Sequence, residues 1–185
     1  VAGWEQALDA LVRDRGAALI RYAELLTGDR REAEDLTQEA LVRTFGRGRS
    51  SLREPAAVEG YVRRAILHGY LDGYRRRRLW QDLRHLVARE DVVGGHADAA
   101  GDRTDVRRAL VLLPPRQRAA VVLRFYDDLT VPEIARRLGV SDGAVKRYLH
   151  DGVAALEQHL GPLDRDRGRA QDDDLIELMT TEGNR

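Results

Sequence analysis

The residues with the most chemistry in them are cations at helical spacing. Placed about 100° apart, as in an α-helix, Arg64, His68 and Arg75 fall within about 40° of one another. Asp72 flanks them. Val62, Ile66, Leu67, Tyr70, Leu71 and Tyr74 occupy the opposite half. The run Arg75, Arg76, Arg77, Arg78 extends the positive end between Tyr74 and Trp80. A basic stripe with aromatics beside it suits a phosphate backbone and unstacked bases. The plainer reading is a solvated helix face ending in a basic segment.

A second stretch is more specific. Thr130-Val131-Pro132-Glu133 has the form of a capping box with Pro in the first turn, so a helix starts there. Ile134, Ala135 and Leu138 make its inner face, Gly139 a tight turn, and Ser141 a cap for a second helix. Val145, Leu149, Val153, Leu156 and Leu160 continue the buried stripe. This is the spacing of a helix-turn-helix, whose second helix enters the major groove by its N-terminal residues. Those residues are Asp142, Gly143, Ala144, Lys146 and Arg147. Lys146 and Arg147 can reach guanine edges or phosphates, and Ala144 a thymine methyl. Asp142 either accepts from cytosine N4 or favours the helix N-terminus electrostatically, and the second role is preferred. The plainer reading is an αα-hairpin used for packing.

Catalytic signatures are missing. The His residues at 68, 85, 96, 150 and 159 form no HExxH or other close metal-ligand cluster. GRGRS at 46–50 lacks the phosphate-loop pattern and its Lys, and no Ser sits in a GxSxG context. With no cysteine, thiolate sites and disulfides are excluded. No enzyme activity, metal or cofactor is expected. No apolar run suits a membrane span or a signal peptide, so a cytoplasmic protein without membrane insertion is expected.

The elements that must position these residues come from composition and periodicity. The 185 residues carry 31 Lys+Arg and 31 Asp+Glu, a net charge of zero. That zero is a sum of blocks: 1–90 and 106–161 are each net +3, and 91–105 and 162–185 each net −3. A polyanion feels the local field, screened beyond about 8–10 Å, so the balance excludes nothing. Helical spacing predicts one helix over about 4–26, with Trp4, Leu8, Leu11, Val12, Leu19, Tyr22, Ala23 and Leu26 on one face. Gly28 ends it, and Asp29 with Glu32 predicts a capping box for the next. That second helix buries Ala33, Leu36, Ala40, Leu41 and Phe45 and shows Glu32, Asp35, Gln38 and Glu39. A basic loop over 46–57 leads to a third helix over about 58–89, broken near 79–81. The fold class is all-α. Two small helical domains, 1–90 and 106–161, are joined by a flexible acidic linker over 91–105. An acidic tail, 162–185, follows, with one apolar patch at Leu175, Ile176, Leu178 and Met179.

Three segments together resemble the extracytoplasmic-function (ECF) sigma factors of the sigma-70 family. GDRREAEDLTQEALVRTF at 28–45 is similar to conserved region 2.2, and YVRRAILHGYLDGYRRRR at 61–78 to region 2.4. Residues 109–156 resemble region 4, with Leu113-Pro114-Pro115-Arg116 at the start of its first core hairpin. The resemblance implies a protein that binds core RNA polymerase and directs promoter-specific initiation. It implies that Asp35, Leu36, Gln38 and Glu39 meet the clamp helices of the largest polymerase subunit. It implies that Arg63, Arg64, His68, Arg75, Arg76 and Arg78 face −10 DNA, with 46–57 or a turn near 58–60 holding a flipped base. Ser141, Asp142, Gly143, Ala144, Lys146 and Arg147 would read the −35 element, the 106–161 domain meeting the flap of the second-largest subunit. An anti-sigma factor or other regulator is implied as a further partner. The alternative is a LuxR-like helix-turn-helix regulator of operator DNA, which gives no reason for the 28–78 pattern.

Overall fold

The computed structural model describes residues 3–46, 55–85 and 101–160, all built from helices and their turns. Three helices come first: α1 (Gly3–Thr27), α2 (Arg30–Phe45) and α3 (Pro55–His85). Four follow: α4 (Gly101–Leu112), α5 (Pro115–Phe125), α6 (Val131–Leu138) and α7 (Asp142–Leu160). Residues 86–100 and 161–185 lie outside the described residues, and with them the core of the expected linker and the tail. Helix α4 already begins at Gly101, ahead of the expected domain start at 106. Helix α3 runs unbroken through 79–81, and 58–60 is helical rather than a turn.

Local chemistry explains the helix ends. Gly28 takes the left-handed conformation (φ +80°) that closes α1, where its N–H donates to the Glu24 carbonyl at 2.8 Å. A methyl built on Gly28 would overlap Val111 Cγ2 of α4. Asp29 caps α2 by accepting from the Glu32 N–H at 2.8 Å. Glu32 does not complete the expected capping box. Its carboxylate instead takes a 2.5 Å hydrogen bond from Arg77 of α3, a stronger charge-assisted partner. Leu113 and Pro114 form the tight corner between α4 and α5.

The first three helices pack around Leu19, Tyr22 and Leu26 of α1 and Val62, Ile66 and Leu67 of α3, all fully buried. Burial of each such side chain contributes about 1.5–3 kcal/mol. Leu11, Tyr22, Ala23, Ala33 and Ala40 are buried as the spacing predicts. Val12 and Tyr74 are not: they stand 47% and 39% exposed at the margins of their apolar faces. Thr37 and Thr44 take interior places on α2, their hydroxyls donating to the carbonyls of Ala33 and Ala40 at 2.7 and 2.8 Å. At Gly69 a methyl would lie 2.7 Å from Leu36 Cδ1, so the missing side chain lets α2 press against α3.

In the second group α5 is central, with Arg118 through Leu123 buried on every side. A methyl on Gly152 would lie 2.8 Å from Val121 Cγ2, which marks the close crossing of α5 and α7.

The two groups do not stand apart. Their buried residues form one continuous cluster. Arg118, buried, donates to the Leu26 carbonyl at 2.7 Å across the boundary, and to those of Val111 and Leu113 on its own side. Burial pushes its guanidinium below the usual arginine range, opposed by Tyr70 and Glu32. Arg107 pairs with Glu24 at 2.9 Å. Arg63 of α3 pairs with Asp127, in the α5–α6 loop, and with Glu59. Its guanidinium lies 5.4 Å from the Tyr22 ring and 5.2 Å from the Tyr126 ring, both within cation–π range. The Tyr126 hydroxyl donates to the Ala18 carbonyl at 3.2 Å.

Candidate nucleic-acid interface

Three helix faces carry the residues singled out by type and spacing. On α2, Asp35, Gln38 and Glu39 are exposed, while Leu36 is half-buried against Gly69. Glu39 also holds Arg43 one turn on, at 2.6 Å. Val42 is 69% exposed on this stripe, three or four residues on from Gln38 and Glu39. It was not singled out from sequence. The signal was available, because 35, 38, 39 and 42 are successive neighbours on one helix face.

On α3, Arg64, His68, Arg75, Arg76 and Arg78 are exposed. Arg64 lies 5.6 Å from the centre of the Tyr61 ring. Arg63 is turned the other way, into the tie with Asp127, Tyr22 and Tyr126. Burial pushes the Asp127 carboxyl above its usual range, with Arg63 drawing it back. Glu59 is pushed up by burial but more strongly drawn down by Arg15 and Arg63, and it ends below the usual carboxylate range.

The helix-turn-helix has the expected local geometry. The Glu133 carboxylate accepts from the Thr130 N–H at 2.8 Å and from its hydroxyl at 2.6 Å. Both bonds hold Glu133 below the usual range. Gly139 is left-handed (φ +64°), and the Val140 N–H donates back to the Ala135 carbonyl at 3.1 Å. Ser141 accepts from the Ala144 N–H at 3.3 Å. Ile134, Ala135, Val145 and Leu156 are buried, so the two helices cross on their apolar faces. Asp142, Gly143, Lys146 and Arg147 are exposed, and Ala144 is half-buried.

The α3 face borders the second helix group. A cleft of about 630 Å³ separates His68, Arg75 and Arg78 of α3 from Arg116 of α5, Arg136 and Arg137 of α6, and Tyr148 of α7. A smaller one of about 410 Å³ sets Arg64 and His68 opposite Glu133, Arg136 and Arg137. Lys146 and Arg147 line neither cleft. Among the described residues no group of three or more His, Cys, Asp or Glu could hold a metal ion. No described helix is long and apolar enough to cross a membrane.

Known proteins share these sequence regions and this fold. The sigma-70 region 2 family model matches residues 11–79, and the sigma-70 region 4 model residues 103–156. The RNA polymerase sigma-E factor of Streptomyces avermitilis is 34% identical over 155 residues, 84% of this chain and 86% of that protein. The ECF RNA polymerase sigma factor SigM of Mycobacterium tuberculosis is 34% identical over 166 residues, 88% of this chain and 82% of that protein. The fold is also that of the sigma factor RpoE solved with the anti-sigma factor NepR from Bartonella quintana. The TM-score there is 0.59 at 21% identity, over 86% of this chain and 98% of that one. The region 2 match accounts for the half of the chain that a LuxR-like regulator leaves unexplained. With both regions present in order and relatives matched over most of their length, the chain belongs to the ECF RNA polymerase sigma factors of the sigma-70 family.

Proposed function

We propose that this sigma factor docks on core polymerase through the α2 face and reads promoter DNA with α3 and α7 in turn. The observation that carries the reading is the uncovered stripe Asp35, Gln38, Glu39 and Val42 beside the basic face of α3. Duplex DNA repels the first and attracts the second, so one helix face is left for a protein and the other for a polyanion. The α2 stripe, with Leu36 behind it, meets the clamp helices of the largest polymerase subunit. Arg64, His68, Arg75, Arg76 and Arg78 face the −10 element, and Ser141 to Arg147 the −35 element.

The packing of the two halves sets the order of events. The two elements lie about 25 base pairs apart, or about 85 Å at 3.4 Å per pair. With α3 closed against α5 and α6, the two reading helices sit within one packed unit and cannot span that distance, so polymerase must part the halves. Arg63 is then released from Asp127 and joins the α3 cations. The domains expected at 1–90 and 106–161 are the units that move, the second taking in the whole of α4 from Gly101. The region 4 unit rests on the flap of the second-largest subunit. The solved neighbour's anti-sigma factor supports a regulator of that class for this chain, acting in the cytoplasm where polymerase is.

Purified protein with core polymerase should initiate at specific sites in a pool of genomic promoters. Initiation no different from core enzyme alone overturns the reading. Changing Asp35 and Gln38 together to Ala should weaken core binding about tenfold, equivalent to about 1.4 kcal/mol. An unchanged affinity for core removes α2 from the contact.

A further inference from the structure

The cleft between α3 and the second helix group brings five arginines together. Arg75, Arg78, Arg116, Arg136 and Arg137 line it, and Asp72 is its one carboxylate. No carboxylate among the described residues lies within ion-pairing distance of any of the five. The cleft is not only charged: Tyr74, Pro114, Leu138 and Tyr148 supply apolar surface between the guanidinium groups. At about 630 Å³ it has room for one short peptide stretch. A free phosphate would satisfy the arginines and leave the apolar surface uncovered.

The chain itself carries a segment with the complementary chemistry. DDDLIELM at 172–179 sets four carboxylates, with no cation among them, around Leu175, Ile176, Leu178 and Met179. It is also within reach. Leu160 ends α7, and Tyr148, at the cleft, stands twelve residues back along that helix, about 18 Å at 1.5 Å per residue. The residues 161–171 span up to about 36–40 Å when extended. The tether therefore exceeds the distance, and binding within one chain proceeds at high effective concentration.

We propose that residues 172–179 seat in this cleft, their carboxylates on the five arginines and their apolar side chains on Tyr74, Leu138 and Tyr148. The seated segment covers His68, Arg75 and Arg78, and so competes with DNA until polymerase parts the two halves. That consequence rests on the promoter-reading role of α3 given above, whereas the seating itself does not. A segment seated nine-tenths of the time weakens binding of free protein to DNA about tenfold.

The chain has no cysteine, so Thr181→Cys gives a unique attachment point for a spin label on the full-length protein. The label should broaden amide signals of residues near 75, 116, 137 and 148. Changing Asp172, Asp173 and Asp174 to Asn with Glu177→Gln should abolish the broadening and tighten binding to a generic duplex about tenfold. Absent broadening, or broadening that survives neutralisation, overturns the seating. Broadening seen only between mixed spin-labelled and isotope-labelled copies gives the cleft to a second copy's tail and overturns it too. Promoter-specific initiation is followed on the same preparations: its failure sinks the reading of α3, while broadening reports the seating alone.

Discussion

The two helices proposed to face DNA, α3 and α7, are positioned by different physics. The reading end of α7 is set locally. A capped α6, a left-handed Gly139 and a Ser141 cap fix its angle within a dozen residues, and Lys146 and Arg147 stay exposed. The face of α3 is set by distant parts of the chain. Arg63 reaches Asp127 across the boundary, Arg77 reaches Glu32 on α2, and His68 and Arg75 look across a cleft at α6. A locally built site is ready whatever the rest of the molecule does. What a site bordered by another domain can reach depends also on where that domain sits.

The comparison is broken most severely at the tie itself. Arg118→Met strands the Leu26, Val111 and Leu113 carbonyls and should cost about 3 kcal/mol in urea unfolding, the upper end for charged hydrogen bonds. A loss under about 1 kcal/mol would mean the halves hold together without it.

The next effect separates the two helices. Lys146→Ala or Arg147→Ala should weaken −35 duplex binding by about 1–3 kcal/mol, the worth of one base contact, in free protein and holoenzyme alike. The α3 cations should behave otherwise. Replacing Arg75, Arg76 and Arg78 by Ala should lower the salt slope of promoter binding by about 0.9 for each phosphate no longer neutralised. That drop should appear in holoenzyme and be much smaller in free protein. Equal drops in both states would show that α3 is already open.

The smallest effect sharpens the Arg63 corner. The folded Glu59 carboxyl sits below its unfolded value. Its stabilising contribution is therefore complete above the ordinary carboxylate range and lost as pH falls through the lower folded value. Glu59→Gln should flatten the fall of melting temperature between neutral and acid pH. A parallel fall would assign the acid sensitivity to other carboxylates.

The helix order and the helix-turn-helix were legible because caps, turn glycines and apolar spacing all agree there. Arg63 shows what charge alone does not reveal. Counted from Val62, it lies at about 100° on the α3 wheel, between Tyr70 at about 80° and Tyr74 at about 120°. Arg77 lies at about 60°, beside Ile66 and Tyr70. Both positions are on the apolar half, and both side chains turn to tertiary partners. Thr37 and Thr44 were hidden for the opposite reason: a polar type reads as surface, yet each hydroxyl is satisfied by a carbonyl one turn back. The closure of the two halves was not legible, since its contacts join residues as far apart as Ala18 and Tyr126 and follow no local period.

The turn at Gly28 leaves no room for a β-carbon. Its backbone is left-handed, and Val111 of α4 occupies the space that a methyl group would need. One added carbon there would push like a wedge at the seam between α1 and α4. The resting packing of the two halves can therefore be loosened by one carbon at a position that carries no charge and lines neither cleft.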